Sequence, residues 1–223
     1  MGGLETAVTG FLDRLPATTT APATWERLSL PEAEGIAIPA QVHYVGLGLD
    51  LAKVGWTFDG ADLVAARYLR MAYLWDRVRV RGGAYGAFCS LDRITGQTVF
   101  LSYRDPNTDA TIEVFRQTGR YLMDATFSDE EMTRAVIGAI GDIDAHMLPD
   151  AKGHVAMVRR LIGDTAPLRA AMRAQVLAAD VRRFRQFGEA LDAAARQASI
   201  VVLGPTPSLD AMTVPNLTRV DVL

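Results

Sequence analysis

The sequence predicts an α+β domain in which helices pack on one face of a largely antiparallel sheet. Three observations carry this. Two strand-like runs, Ala84–Arg93 and Gln97–Tyr103, meet at the turn-forming Asp92-Arg93-Ile94-Thr95-Gly96 and read as a hairpin. Helical periodicities then follow one another from Asn107 to about Leu191. A far terminal strand, Ser199–Leu203, returns to the sheet after them. Adjacent hairpin strands interrupt the alternation that a doubly wound parallel fold needs.

Leu4 to Leu15 sets Val8, Phe11, Leu12 and Leu15 at helical spacing, an amphipathic helix that needs a surface to cover. Pro16–Thr24 is a Thr/Ala/Pro run that reads as a linker, so the expected organisation is a helix and linker over 1–24 and a compact domain over 25–223. Trp25–Leu30 and Gly35–Pro39 are short extended candidates, and Gln41–Leu49 is a strong strand carrying Tyr44, Val45 and Leu47. Asp59-Gly60-Ala61-Asp62 opens a helix to about Arg77, with Leu63, Ala66, Leu69 and Tyr73 inward. Only Arg67, Arg70 and Arg77 form a polar stripe, which marks an inner helix.

After the hairpin, Asn107 is positioned to cap a helix to about Ala125, with Ile112, Phe115 and Leu122 inward. Ser128-Asp129-Glu130-Glu131 is a capping box that starts a helix with Met132, Val136, Ile140, Ile143 and Met147 on its apolar face, ended by Pro149. Shorter helices are expected over Lys152–Ile162 and Ala166–Leu177. Asp180 then opens one with Val181, Phe184, Phe187 and Leu191 on a single face. Ser199–Leu203, closed by Gly204-Pro205, is the last strand expected.

Composition narrows the function. The 223 residues suffice for one sizeable core plus an accessory segment. Lys and Arg number 23 against 26 Asp and Glu, a net charge of −3, so no global positive field favours nucleic acid or an anionic membrane. With 49% hydrophobic and 22% charged residues the chain has a globular composition. Cys89 is the single cysteine, which excludes a disulfide within the chain and a cysteine-based zinc cluster and suits a reducing compartment. No run reaches the ~18 apolar residues of a membrane helix, and the start lacks the order of a signal peptide. Cytoplasm is the expected location, with import into an organelle matrix as the alternative.

The three histidines, His43, His146 and His154, lack the i, i+4 spacing of helical zinc hydrolases, and Asp142 with His146 reads as a solvated face. No metal of the chain's own is expected. Cys89 falls inside a strand, where a thiol is usually buried and inert, and no Gly-x-Ser-x-Gly elbow is present. Gly82-Gly83-Ala84-Tyr85-Gly86 follows a helix and opens a strand, the reverse of a phosphate-cradling loop, and lacks Gly-Lys-Ser/Thr. Its glycines permit a sharp turn holding Arg79 and Tyr85 at fixed relative positions. The residues alone leave two readings of that pair open: a functional couple, or a helix-to-strand connection with a surface Arg and a half-buried Tyr.

Three motifs stand in order behind the strand Val42–Gly46: Leu74-Trp75-Asp76-Arg77-Val78-Arg79-Val80-Arg81-Gly82-Gly83-Ala84-Tyr85-Gly86, then Ser102–Asn107, then Ile137–Asp144. Together they cover about Gln41 to Gly204 and resemble the C-terminal domain of presequence proteases, in the pitrilysin/insulinase class of zinc metallopeptidases. The resemblance implies one of four related α+β domains that form a clamshell around a chamber for unfolded peptide. Zinc would be held by an inverted His-x-x-Glu-His site in the first domain, and an Arg and a Tyr of the last domain would reach the substrate at the metal. By motif position these are Arg79 and Tyr85, whose donors suit the scissile peptide and the oxyanion of a tetrahedral intermediate.

The inverted zinc motif is absent from the chain. The resemblance therefore implies a noncatalytic domain, inactive alone, whose partners are an N-terminal zinc-bearing half and an unfolded peptide, with no nucleic acid and no membrane. The amphipathic start resembles the tail of a preceding domain. A structural or interaction domain that pairs with a related subunit is the alternative; a stand-alone enzyme using Cys89 is the third reading.

Overall fold

The computed structural model describes residues 2–16, 24–26 and 31–221. The chain divides into two units, Met1–Leu30 and Pro31–Leu223. In the first, α1 (Gly2–Leu12) is the helix expected at the start. Most of the expected linker (17–23) and of the Trp25–Leu30 extended segment (27–30) lies outside the described residues.

The second unit begins with strands β1 (Ala33–Ala37) and β2 (Tyr44–Asp50), then a 3₁₀ turn at Leu51–Val54. Helix α2 (Gly60–Tyr68) follows, capped reciprocally by Asp59 and Asp62, and runs on into a π-helix, Leu69–Arg81. The hairpin strands are β3 (Gly86–Leu91) and β4 (Gln97–Tyr103). Helices α3 (Asp109–Arg116), α4 (Thr118–Asp124), α5 (Asp129–Ile143), α6 (Pro149–Leu161), α7 (Ala166–Leu177) and α8 (Val181–Ala195) precede β5 (Ser199–Gly204), α9 (Thr206–Asp210) and β6 (Leu217–Asp221).

The strand order is β3-β4-β2-β5-β1-β6. Pairings β3–β4, β4–β2 and β2–β5 are antiparallel, whereas β5–β1 and β1–β6 are parallel. The register aligns Phe100, Leu47 and Ile200 across three strands, and all three are buried against the helices. Phe115, Phe184, Phe187 and Leu191 complete the core from the helical layer. One residue along, the row Phe88, Leu101, Gly46 and Val201 lies on the opposite, open face, where Phe88 and Leu101 are exposed. The α+β fold with helices on one face is the architecture expected; the parallel pairs at the β1 edge are an addition to it.

Several elements differ from expectation for local reasons. Strand β6 adds an edge beyond Ser199–Leu203, and its five residues carry too little alternation to announce themselves. The expected Asn107–Ala125 helix is two, α3 and α4, parted at Gln117, and its start shifts to Thr108 as cap because Asn107 turns its side chain to other work, given below. The Ser128 capping box forms as expected, but α5 stops at Ile143, short of Met147. Pro149 starts α6 instead of ending α5, since a proline in the first turn loses no helical hydrogen bond. The hairpin turn is held by Asp92, whose Oδ1 accepts from the Ile94 amide at 2.7 Å and the Thr95 amide at 3.1 Å; these bonds keep its pKa low.

Candidate functional site

The site grows from the far end of the π-helix. Hydrogen bonds from i to i+5 widen each turn to about four and a half residues, so side chains recur at four- and five-residue intervals. Leu69, Tyr73, Leu74 and Val78 are buried at that spacing. On the outer side Arg70, Trp75 and Arg79 recur the same way and line one groove. In an ordinary α-helix, nine residues at about 100° each would place Arg70 and Arg79 on opposite faces. Of the expected stripe of Arg67, Arg70 and Arg77, the first two stay together and line a pocket beside Asp142, which pairs with Arg67; Arg70 also reaches the groove, and Arg77 leaves the stripe to face Asp76.

Two glycines turn the chain from π-helix to strand. Gly83 sits at φ +81°, which favours glycine, and a side chain at Gly82 would lie 2.5 Å from the Val78 carbonyl oxygen. The Gly83 amide donates to the Arg79 carbonyl at 3.0 Å and the Ala84 amide to the Val78 carbonyl at 3.1 Å. Asn107 Nδ2 donates to the Gly82 carbonyl at 2.6 Å, which locks the turn from the next motif.

Asn107 is held in turn by the fully buried Asp105. That carboxylate accepts from the Asn107 amide at 2.9 Å and the Thr111 hydroxyl at 2.7 Å. The Asp105 carbonyl accepts from the His43 amide at 2.8 Å and lies 2.9 Å from His43 Nδ1. Motif Ser102–Asn107 is thus the clamp on the Gly82-Gly83 turn. His43 belongs to this clamp, and His146 and His154 are exposed elsewhere.

Tyr85 leaves the turn with its amide donating to the Tyr103 carbonyl at 3.0 Å. Its ring stands edge-on to Tyr103 at 5.9 Å, and Tyr103 stands edge-on to Tyr44 at 5.4 Å, so a chain of aromatic contacts orients it. The ring is 67% exposed, and the hydroxyl has no hydrogen-bond partner among the described residues. Arg79 holds its Cζ 3.9 Å from the centre of the Trp75 ring. Neither Arg79 nor Arg70 forms an ion pair with a described residue. The groove they share with Tyr85, Phe88 and Tyr103 has a volume of about 550 Å³ and carries no acidic side chain on its lining.

Both expected residues, Arg79 and Tyr85, therefore come together at one open groove. Trp75, Arg70 and Tyr103 are lining residues the site reading missed. Trp75 had a signal, since it stands four residues before Arg79 on a helix. Cys89 points toward the helical layer, where burial pushes its thiol up to about 12, so it stays protonated at neutral pH. Asp142 and His146 do not share a helical face, because α5 ends between them. Among the described residues no group of three or more His, Cys, Asp or Glu is placed to hold a metal ion.

The sheet with helices on one face places the chain in a known class of fold. A protease from Helicobacter pylori superposes with a TM-score of 0.61 at 16% identity, covering 91% of this chain and 52% of that one. The peptidase M16 inactive domain from Pseudomonas fluorescens superposes with a TM-score of 0.52 at 16% identity, over 83% and 47% of the two chains. Within that fold the sequence is more specific: the model of the PreP C-terminal domain matches residues 33–206, and the chain belongs to that family. Presequence protease 1, chloroplastic/mitochondrial, from Arabidopsis thaliana is 39% identical over 210 residues, which are 93% of this chain and 19% of the relative. The chain thus spans about a fifth of that relative's length.

Proposed function

We propose that this domain is the noncatalytic C-terminal part of a presequence-protease-like zinc metalloendopeptidase, and that Arg79 and Tyr85 bind unfolded peptide at an active site completed by the N-terminal half. One observation supports the proposal: the two side chains line a single open groove, and neither forms an ion pair or side-chain hydrogen bond with a described residue. A guanidinium offers five N–H donors and a phenol one O–H, both suited to a peptide carbonyl and to the oxyanion that replaces it. Phe88 and Tyr103 supply an apolar and aromatic wall for peptide side chains. In this reading the zinc is held by the N-terminal partner, and this domain contributes only Arg79 and Tyr85 to the site.

The test is peptide hydrolysis by the full-length protein carrying this domain. Arg79→Ala and Tyr85→Phe should each lower kcat/KM on a short unfolded peptide by about a hundredfold, the scale of losing one oxyanion donor. Wild-type kcat/KM in both variants would remove their assigned roles. The alternative, a domain that pairs with a related part and has no catalytic role, draws on α6, which buries none of its residues and leaves Met157 and Leu161 exposed. It predicts that Leu161→Asp weakens assembly while Arg79→Ala leaves hydrolysis intact.

A further inference from the structure

We infer that Trp75 is a positioning residue for Arg79: its indole face holds the guanidinium over the groove without occupying the donors that substrate needs. The inference rests on the role proposed above for Arg79. It starts from an imbalance of charge on the π-helix. Its last turns carry Arg77, Arg79 and Arg81 against one carboxylate, Asp76. Asp76 is already committed, lying 3.0 Å from Arg81 Nε and 3.8 Å from Arg77 Nε. Arg79 receives no carboxylate and would otherwise be a long, freely rotating chain at a half-exposed position. What it has is the ring of Trp75, with Cζ 3.9 Å from the ring centre.

The difference between the two kinds of partner is chemical. A carboxylate would take two of the N–H donors in a forked pair and cancel the charge. An aromatic ring attracts the cation through its quadrupole and accepts no conventional hydrogen bond, so both charge and donors stay available at the groove. Trp75 is 45% exposed, an unfavourable place for the largest apolar side chain unless its face has a use. Its position is fixed by the backbone, one helical turn before Arg79, with Leu74 beside it fully buried as an anchor. Phe88 and Tyr103 line the same groove as Arg79, and Trp75 is the ring that Arg79 rests on.

The experiment is a double-mutant cycle on the full-length protein, reading kcat and KM on a short unfolded peptide. Trp75→Leu should lower kcat/KM by about three- to tenfold, the range expected when a cation–π contact is lost. Trp75→Phe, which keeps a smaller aromatic face, should recover much of it. In an Arg79→Ala background Trp75→Leu should change nothing further, because there is no cation left to position. Equal losses in both backgrounds would show that Trp75 supports the fold or touches peptide directly, and would overturn the inference. So would wild-type kinetics of Trp75→Leu beside a defective Arg79→Ala. If Arg79→Ala itself were silent, the underlying role of Arg79 would fail instead. Should Trp75→Leu not fold, Trp75→Phe and Trp75→Tyr in the two backgrounds carry the same comparison.

Discussion

The first turns of α2 and α8 are tied by one buried ion pair, and cutting it is the sharpest test of how the helical layer is held. Asp62 is fully buried, and burial raises its pKa above the usual 3.8 despite the opposing hydrogen bonds and charge of Arg183. Arg183 donates Nε to Oδ1 at 2.8 Å and Nη2 to Oδ2 at 2.6 Å, and Nη2 also reaches the Thr57 carbonyl at 2.7 Å. Arg183→Leu removes all three bonds and leaves Asp62 with the Asp59 amide at 3.0 Å. An uncompensated buried carboxylate of this kind costs about 3–5 kcal/mol. The sign with pH follows. In the variant the folded pKa of Asp62 rises further above its unfolded value, so the folded state binds more protons. Stability is then retained below the unfolded value and lost as pH rises toward the raised one. Urea denaturation of this chain should therefore show a large deficit at neutral pH that shrinks on acidification toward the ordinary carboxylate value of 3.8. Adding Asp62→Asn, which keeps the cap but removes the charge, should restore much of the loss. A deficit under about 1 kcal/mol, or one that acidification does not reduce, would refute the reasoning.

Two further outcomes follow from single side chains. Gly119→Ala in α4 would bring a methyl group to 2.5 Å from both the Gly188 carbonyl oxygen and the Asp192 amide nitrogen of α8, so it should lower the urea midpoint by the equivalent of about 2 kcal/mol or more; an unchanged midpoint would mean these backbones do not meet so closely. Cys89, with its thiol at about 12, should react with a thiol reagent at mildly alkaline pH about a hundredfold or more slower than in the urea-unfolded chain, and equal rates in the two states would show the thiol is not buried.

Much of the fold was readable because its signals are local. Ser128 and Glu131 cap each other as their spacing requires, Asp180 caps α8 at 2.8 Å from the Arg183 amide, and Phe184, Phe187 and Leu191 share the buried face their period defines. What escaped was set by distant partners. Asn107 looks like a helix cap in sequence, yet the carbonyl of Gly82, 25 residues away, is the better use of its amide. The π-helix was invisible because a period of 3.6 and one of about 4.4 agree over a single turn and part only over two. A 3.6 period therefore keeps Arg67 and Arg70 together, as they are, but wrongly adds Arg77 to them and hides that Arg70 also faces the groove with Arg79. Arg79 and Tyr85 are singled out by resemblance of the motif that contains them; their spacing alone favours a plain helix-to-strand connection.

The clamp behind the groove explains why so exposed a pair can be so well placed. Tyr85 is mostly in water, and half-buried Arg79 forms no ion pair with a described residue and rests on the Trp75 ring. The turn between them is fixed from beneath by Asn107, Asn107 by Asp105, and Asp105 by Thr111 and the His43 backbone. His43 in turn packs on the end of β5, where a side chain at Gly204 would come to 2.5 Å from its ring. The π-helix and the ends of β4, β2 and β5 thus converge on one buried polar cluster, and the groove residues project from its rim. His43 Nε2 is buried without a hydrogen-bond partner, but the Asp105, Asn107 and Thr111 bonds are made within the cluster, and displacing any of these groups strands a polar atom. Rigidity is placed in the scaffold and the donors are left uncommitted, which is the division the role proposed for Arg79 and Tyr85 requires.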